Sequence, residues 1–299
     1  MLAVIGCGEV GRCYAAAFCA AGYAVALCDS AAMLAAQSLA SGVSTPLHVA
    51  PGPWLESADI VISAVSGTAA LDVLRASLPF LRGGIVYGDF TTASPEDKHR
   101  GGEDAGARGI AYVDAAIMGS ISLTGACTPL LMAGAQAGRL ASLVAVIGAP
   151  TRVLNDAQPG DAIRIKFLRS IFTKGLEALA VECLIAAEHQ GVREQLLDQL
   201  ADIDRTPLRD YLEMLIKTHV VHARRREREV AEAEQLLCSQ NLPVNVLSGV
   251  RSRFAATVAA LARDPPAIAV PDFLEALLWL VRSARDGDLS TSTKCGVFT

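Results

Sequence analysis

A glycine pattern near the start of the chain constrains the fold more than any other feature. The apolar run at residues 2–5 predicts a short strand, and Gly6, Gly8 and Gly11 follow it with the spacing G-x-G-x-x-G. An alanine-rich segment at residues 9–21 comes next and predicts a helix. In a dinucleotide-binding turn the first glycine allows a sharp bend, the second lets the pyrophosphate approach the backbone, and the third lets the helix pack on the strand. The segment therefore predicts the first strand, turn and helix of a Rossmann domain.

A second apolar run, at residues 23–28, ends at an aspartate that bears on the choice of cofactor. Asp29 follows the glycines by about twenty residues, where an acidic side chain accepts hydrogen bonds from ribose hydroxyls and repels a 2'-phosphate. This favours NAD as the cofactor, with NADP as the alternative. Asp29 is equally suited to cap a helix predicted from Ala31, and the two roles are compatible. The residues predicted to bind the dinucleotide are Gly6, Gly8, Glu9, Val10, Gly11, Asp29, Val65 and Ser66.

Strands and helices alternate through the first half of the chain, and strand patterns nearly vanish after about residue 155. Further strands are predicted at residues 59–65, 84–88, 110–114 and 128–133, and a helix at residues 68–78. Helices are then predicted at residues 161–190, 193–201, 207–240, 246–263 and 271–285. We therefore predict an α/β Rossmann dinucleotide-binding domain at residues 1–155, followed by an all-α C-terminal domain at residues 156–299.

Composition and charge exclude several classes of partner. The net charge of -5 argues against a surface for nucleic acid or an anionic membrane, and no apolar run reaches the length of about eighteen residues that predicts a membrane span. The eight cysteines form no C-x-x-C pair, so we predict no metal site and no disulfide framework, but thiols in a reducing cytoplasm. A small metabolite is the predicted partner, and the Ser- and Thr-rich C-terminal tail is predicted to be mobile.

Three segments resemble the β-hydroxyacid dehydrogenase family, which includes 3-hydroxyisobutyrate and 6-phosphogluconate dehydrogenases. Residues 89–95, Asp-Phe-Thr-Thr-Ala-Ser-Pro, are similar to its D-x-S-T-x-S-P loop beside the nicotinamide ribose. Residues 114–120, Asp-Ala-Ala-Ile-Met-Gly-Ser, resemble its substrate loop D-A-P-V-S-G-G, with Ala in place of Pro and Met-Gly-Ser in place of S-G-G. Residues 160–170 resemble its G-x-x-x-x-x-K-x-x-x-N, with Ser170 in place of Asn. Residues 169–179 look like a divergent phosphogluconate-dehydrogenase-type C-terminal domain.

The resemblance implies roles for individual residues. Lys166 aligns with the catalytic lysine of the family, which serves as general acid and base. The helical second domain is implied to bind substrate and to form a homodimer. Thr91, in the loop similar to the one beside the nicotinamide ribose, is implied to bind the cofactor. The residues implied to contact substrate are Thr92, Gly119, Ser120, Ser170 and Lys174.

The residues themselves support a compatible interpretation. Four polar residues recur at spacings of four, four and three: Lys166, Ser170, Lys174 and Glu177. They therefore share one stripe of a predicted helix that is otherwise apolar. Polar groups buried in such a stripe must be paired or functional. Lys166 has an alternative, purely structural role, in which it pairs with a carboxylate at a domain seam. Lys174 is the rival proton-transfer group, and its own alternative is an ion pair with Glu177.

The predicted function is an NAD(P)-dependent oxidoreductase that moves a hydride between nicotinamide and a small 3-hydroxy acid or its oxo or semialdehyde partner. One alternative is an imine reductase or reductive aminase on the same scaffold, although relatives of that kind usually lack a lysine at the position of Lys166. Another is a dinucleotide-binding protein that has lost turnover.

Overall fold

The computed structural model describes residues 1–31 and 34–288, so the predicted mobile tail lies outside the described residues. The chain divides into two compact units, residues 1–172 and a second unit that begins at Thr173. The first unit combines strands with helices, whereas the described part of the second contains helices alone. The predicted fold class is therefore confirmed.

One eight-stranded sheet forms the centre of the first unit. In chain order its strands are β1 Leu2–Ile5, β2 Val25–Cys28, β3 Leu47–His48, β4 Ile60–Ser63, β5 Val86–Asp89, β6 Ala111–Ile117, β7 Leu130–Ala133 and β8 Thr151–Val153. Across the sheet they lie in the order β3-β2-β1-β4-β5-β6-β7-β8, and all neighbours are parallel except β6 and β7. The order of the strands reverses at β1, and open α/β sheets bind ligands at the carboxyl ends of the strands at such a point.

Helices cover both faces of this sheet. They are α1 Glu9–Ala20, α2 Leu34–Gly42, α3 Ala70–Ser77, α4 Pro95–Gly106, the short α5 Ile121–Thr124, and α6 Ala137–Ala145. Successive side chains of β1 point to opposite faces, so Val4 lies in one buried cluster with Phe18 of α1, whereas Ile5 lies in another with Leu74 of α3. Because both faces are buried, the central strands are continuously apolar rather than alternating.

The described helices of the second unit pack around a small apolar core. They follow the long α7 Asp161–His189 and are α8 Arg193–Leu200, α9 Leu208–Ser239, α10 Asn245–Arg263 and α11 Phe273–Asp288. Trp279 of α11 lies in one buried cluster with Val220 of α9 and Ala260 of α10. Glu182 of α7 accepts hydrogen bonds from the backbone N–H groups of Val246 and the next residue, both at 2.9 Å, which caps the first turn of α10. None of the helices in the described ranges is long and apolar enough to cross a membrane.

Five elements were not predicted from the sequence: β3, β8, α4, α5 and α6. The longest of them, α4, begins after Ser94, whose Oγ accepts a hydrogen bond from the backbone N–H of Asp97 at 3.0 Å. It buries only Lys98, Gly101 and Ala105. Its sequence therefore lacks the apolar stripe that reveals a helix, although its capping residues are favourable.

The division of the chain into two compact units falls within α7, between residues 172 and 173. The first turns of α7 belong with the sheet because the backbone N–H of Ile163 donates to Oδ2 of Asp114 in β6 at 2.9 Å. The domain boundary at residue 155 stays a prediction, based on the change in sequence pattern there.

Candidate functional site

The parallel strands bring the predicted cofactor residues to one edge of the sheet. One row of residues lies in register across the sheet: Cys28 of β2, Ile5 of β1, Ser63 of β4, Asp89 of β5 and Asp114 of β6. β1, β2, β4 and β5 end at this row, and β6 continues for three more residues, to its end at position 117. The glycine turn and the segments around positions 29, 65 and 91 therefore all leave the sheet at its carboxyl edge.

The three glycines of the turn meet different surroundings. Gly6 has a φ of +89°, and a Cβ there would lie 2.7 Å from the backbone of Ala64. A Cβ on Gly11 would lie 1.8 Å from the carbonyl oxygen of Gly6. At Gly8, by contrast, a Cβ would meet no protein atom within 4 Å. The fold itself therefore requires Gly6 and Gly11, whereas Gly8 leaves space above the start of α1.

This space fits a pyrophosphate. Gly8 is the N-cap of α1 and gives no side-chain cap, so the first N–H groups of the helix remain available to an anion. The helix dipole adds a favourable field for negative charge at that end. Gly8 and Glu9 are exposed and Val10 is partly buried, so a ligand can approach this turn. The chemistry of the turn therefore matches the cofactor that the sequence predicts.

Asp29 binds the backbone on both sides of the strand end. Its Oδ2 accepts a hydrogen bond from the N–H of Cys7 at 2.7 Å, and its Oδ1 accepts one from the N–H of Ala31 at 2.9 Å. The carboxylate thus closes the turn after β2 rather than capping a helix from Ala31, because α2 begins at Leu34. Asp29 is only partly buried, and each oxygen keeps a second lone pair. Contact with a ribose stays a prediction.

The loops after β4 and β5 pack closely against each other. A Cβ on Gly67 would lie 2.8 Å from the backbone of Thr92. The side chain of Thr91 is buried and its Oγ1 accepts a hydrogen bond from the N–H of Ala93 at 3.1 Å, so this hydroxyl serves the turn. Ser66 and Thr92 are exposed and Val65 is partly buried. Of these predicted contacts, Ser66 and Thr92 offer hydroxyls to a ligand most directly.

The predicted substrate loop follows β6 and is rich in hydroxyl groups. Gly119 and Ser120 are exposed, and Oγ of Ser120 lies 2.7 Å from Oγ of Ser122. The buried Thr128 anchors the loop, because its Oγ1 donates to the carbonyl oxygen of Gly125 at 2.7 Å. The loop therefore presents exposed hydroxyl and amide groups on a fixed base.

Lys166 is the predicted site residue with a perturbed proton affinity. It lies in the part of α7 that belongs to the first unit, and it is partly buried. Burial lowers the pKa of Lys166 below its ordinary value and the nearby cation of Lys98 lowers it further, whereas the carboxylate of Asp114 raises it. A lysine in such surroundings is a candidate for proton transfer nearer to neutral pH.

A buried ionic cluster that the sequence analysis missed lies beside this lysine. Lys98 of α4 is fully buried, and its Nζ lies 2.8 Å from Oδ1 of Asp114 and 3.4 Å from Oδ1 of Asp89. The hydroxyl of Tyr112 donates to Asp89, and burial raises the pKa of this tyrosine well above its ordinary value. Removing one partner from such a buried pair typically costs about 3–5 kcal/mol of stability. The cluster therefore holds α4, β5 and β6 together.

The other polar residues of the predicted stripe have different surroundings. Lys174 and Glu177 are exposed in the single chain, and the contact of Lys174 with substrate stays a prediction. They face solvent because the apolar side chains around them have no cover in the described chain. Among the residues that the structure describes, Lys174 makes no ion pair with Glu177. Ser170 is partly buried, and its contact with substrate stays a prediction.

No group of three or more His, Cys, Asp or Glu side chains in the described ranges is arranged to hold a metal ion. The buried carboxylates of Asp89 and Asp114 instead face the cation of Lys98. The polar chemistry beside Lys166 is thus that of amines, carboxylates and backbone amides.

Comparison with known protein families matches both halves of the chain. Residues 1–155 match the NAD binding domain of 6-phosphogluconate dehydrogenase, and residues 187–257 match a domain of unknown function, DUF1932. An uncharacterized 28.5 kDa protein in the 7S RNA 5' region of Methanothermus fervidus is 29% identical over 200 residues, which cover 67% of this chain and 76% of that protein. The family resemblance inferred from the sequence is confirmed.

Solved structures share the fold. One is a conserved protein of unknown function described as structurally similar to 3-hydroxyacid dehydrogenases, with a TM-score of 0.60, 29% identity, and coverage of 88% of this chain and 98% of that chain. An imine reductase variant from Myxococcus stipitatus in complex with NAD+ has a TM-score of 0.75 at 18% identity, covering 94% and 99% of the two chains. A reductive aminase from Aspergillus terreus in complex with NADPH4, cyclohexanone and allyl amine has a TM-score of 0.72 at 18% identity, covering 93% and 98%.

The last two likenesses concern the fold alone, whereas the match over residues 1–155 covers the glycine turn, Asp29 and the sheet edge described above. The chain therefore belongs to the NAD-binding oxidoreductase family that shares the NAD binding domain of 6-phosphogluconate dehydrogenase.

Proposed function

We propose that the protein is a dehydrogenase or reductase that interconverts a small 3-hydroxy acid and its oxo or semialdehyde partner. The observation that carries the proposal is a partly buried amine, Lys166, on the helix that starts at the carboxyl side of the NAD-binding sheet. The lowered pKa of this amine, caused by burial and by Lys98, suits a group that both accepts and returns a proton.

The cofactor is held by the start of α1 in this proposal. The N–H groups at Gly8, Glu9 and Val10 bind the pyrophosphate, and Gly6 and Gly11 give the turn its shape. Asp29 contacts the adenosine ribose through its free lone pairs, which favours NAD over NADP. Val65, Ser66, Thr91 and Thr92 line the path toward the nicotinamide. A nicotinamide bound there would supply the hydride chemistry, as acceptor of hydride from the alcohol carbon or as donor to the carbonyl carbon.

The chain's own chemical contribution is a proton. In alcohol oxidation the neutral amine of Lys166 accepts the hydroxyl proton as the carbon loses its hydride. In carbonyl reduction the ammonium form returns the proton to the new alkoxide oxygen. Oxidation therefore requires a pH above the pKa of Lys166, and reduction a pH below it, so the lowered pKa brings oxidation closer to neutral pH.

The substrate's carboxylate is bound by polar groups of the loops and of α7. Gly119 and Ser120 provide an exposed amide and hydroxyl after β6, and Thr92 provides another hydroxyl. Ser170 and the cation of Lys174 complete the proposed set on α7. A carboxylate suits these donors because charge-assisted hydrogen bonds are stronger than neutral ones.

A binding and turnover assay tests this function. The purified protein is titrated with NAD and with NADP, and then incubated with each cofactor and a panel of 3-hydroxy acids while absorbance of the reduced cofactor is followed. We expect a lower dissociation constant for NAD than for NADP and turnover with at least one hydroxy acid. Absence of binding to either cofactor at millimolar concentration would contradict the proposal.

The same assay separates two other functions. Oxidation of reduced cofactor only when a carbonyl compound and an amine are supplied together would identify an imine reductase or reductive aminase. Cofactor binding without turnover of any substrate would indicate a protein that only binds the dinucleotide. Lys166 favours the hydroxy acid reaction over imine reduction, because relatives with that activity usually lack a lysine at this position.

We further propose that the protein is a homodimer that uses the apolar face of α7. Ile171 is 71% exposed and Leu168 is 61% exposed, and other exposed apolar side chains follow along the same helix. Contiguous exposed apolar surface of this kind marks an interaction site, and covering each such side chain contributes about 1.5–3 kcal/mol.

Light scattering tests the dimer. We expect the unmodified protein to have twice the mass of one chain, and the Leu168→Glu/Ile171→Glu variant to be monomeric, because two carboxylates cannot be buried there unpaired. Leu34→Glu is the matched control, since Leu34 is 81% exposed on α2. A monomeric unmodified protein, or a dimer that persists in the double variant, would refute this interface.

A further inference from the structure

Lys98 is a buried cation to which the proposed function gives no role. Its side chain is 0% exposed, and its Nζ contacts Asp114 at 2.8 Å, Asp89 at 3.4 Å and the backbone oxygen of Asp89 at 3.0 Å. A buried amine stays charged only where carboxylates and hydrogen-bond acceptors surround it, and here both are present. The cluster carries two carboxylates and one cation.

The carboxylate of Asp114 connects the cluster to α7. While Oδ1 of Asp114 contacts Lys98, its Oδ2 accepts hydrogen bonds from the backbone N–H groups of Gly160 at 3.1 Å and Ile163 at 2.9 Å. These N–H groups lie at the positive end of the helix, which offsets the second negative charge. One carboxylate therefore joins Lys98 to the first turn of α7.

A glycine allows the two helix starts to come this close. Gly160 has a φ of +100°, and a Cβ there would lie 2.6 Å from the carbonyl oxygen of Pro95, the first residue of α4. Both the backbone conformation and the space thus require glycine. The spacing between the start of α7 and the helix that carries Lys98 is built into the backbone.

Lys166 lies three residues after Ile163, on the same face of α7. Helical side chains lean toward the helix N-terminus, so the side chain of Lys166 extends back toward the turn that Asp114 caps. The charged groups that act on it from neighbouring elements are Lys98 of α4 and Asp114 of β6. Burial and Lys98 lower the pKa of Lys166, and Asp114 raises it.

We propose that Lys98 is a positioning residue for Lys166, acting through Asp114 and through its own buried charge. Asp114, oriented by Lys98, fixes the turn of α7 over which Lys166 lies. The charge of Lys98 disfavours a second cation beside it, so Lys166 releases its proton at a lower pH. This inference rests on the proposed function only for the statement that the proton of Lys166 takes part in the reaction.

The test measures the titration of Lys166 directly. Reductive methylation with 13C-formaldehyde labels lysine amines, and the chemical shift of each labelled methyl group is followed against pH by NMR. The sequence contains only Lys98, Lys166, Lys174, Lys217 and Lys294, so the Lys166 signal is assigned by its loss in Lys166→Arg. The readout needs neither cofactor nor substrate.

Two variants isolate the charge of Lys98. Lys98→Gln/Asp89→Asn removes one positive and one negative charge, keeps the net charge of the cluster, and leaves Asp114 to cap α7. Asp89→Asn alone is the matched control that keeps the cation. We expect the midpoint of Lys166 to rise by about one pH unit in the double variant relative to Asp89→Asn. If the double variant does not fold by circular dichroism, Lys98→Met/Asp89→Asn replaces it.

The results divide clearly. Equal midpoints in folded double and single variants overturn the proposal, as does failure of both double variants to fold, which would make Lys98 a purely structural residue. A raised midpoint supports it, and the acid limb of kcat/KM for alcohol oxidation should then move to higher pH by the same amount. A raised midpoint in a protein without turnover contradicts the proposed function alone.

Discussion

Lys166→Met is expected to lower kcat/KM for the hydroxy acid about 10²- to 10⁴-fold, the usual contribution of a general acid or base. Methionine keeps an unbranched side chain and favours a helix, but it cannot carry a proton. Because Lys166 is only partly buried and is not one of the residues proposed to bind the dinucleotide, the fold and the dissociation constant for NAD should be retained. Steady-state kinetics together with a fluorescence titration of NAD measure both quantities.

Lys174→Met is the matched control for this prediction. Lys174 lies eight residues further along α7, carries the same charge, and is exposed in the single chain. We expect this variant to raise KM through loss of a carboxylate contact and to leave kcat much less affected. If Lys174→Met loses kcat while Lys166→Met retains it, the assignment of the proton-transfer group is wrong.

The sequence predicted most elements of the fold because their apolar patterns follow directly from burial. β1 and β4 are covered on both faces, so they appear as unbroken apolar runs. The described helices of the second unit agree with their predicted bounds to within a few residues. α4 was missed because it packs a lysine and small residues, Gly101 and Ala105, against the sheet. The start of α4 could nevertheless be predicted from the sequence, since Ser94 followed by Pro95 is a typical N-cap and first helical residue.

The sequence predicted the glycine turn of the site but missed the ionic cluster, because the turn is formed by neighbouring residues and the cluster by residues far apart in the chain. The glycine turn is a local feature. Steric limits at Gly6 and Gly11 require glycine at these positions, so the turn can be recognised from the sequence. The ionic cluster is non-local, because the register of β5 with β6 brings Asp89 opposite Asp114, and α4 delivers Lys98 between them. In the sequence, this lysine stands in a run of charged residues that is typical of a solvated helix face. The available signal was an aspartate at or just after the end of each of two successive predicted strands.

The stripe on α7 shows the limit of periodicity. A spacing of three or four residues establishes that side chains share a face, but it does not establish what covers that face. Lys166 is partly buried because the sheet and α4 lie beside the first turns of α7, whereas Glu177 is exposed in the single chain. Only the tertiary structure distinguishes the two environments.

Gly8→Leu is expected to weaken NAD binding about a hundredfold or more while thermal stability falls only slightly, because leucine is a poorer N-cap than glycine. A side chain at this position meets no protein atom within 4 Å of its Cβ, and the φ of -65° is one that any residue adopts. The leucine would instead fill the space above the first N–H groups of α1. Loss of two hydrogen bonds to a charged phosphate accounts for an effect of about this size. Calorimetric titration with NAD and a thermal melt measure the two quantities.

Two further glycine variants show whether the effect belongs to the cofactor site. Gly138→Leu replaces an exposed glycine of α6 that likewise has no atom within 4 Å of its Cβ, and it should leave binding unchanged without lowering stability, since leucine favours a helix more than glycine does. Gly11→Ala should lower stability itself, because its Cβ would lie 1.8 Å from the carbonyl oxygen of Gly6. Only Gly8 separates binding from folding, since its missing side chain makes room for a ligand rather than for the protein. Unchanged NAD affinity in a folded Gly8→Leu variant would mean that the pyrophosphate does not lie on this turn.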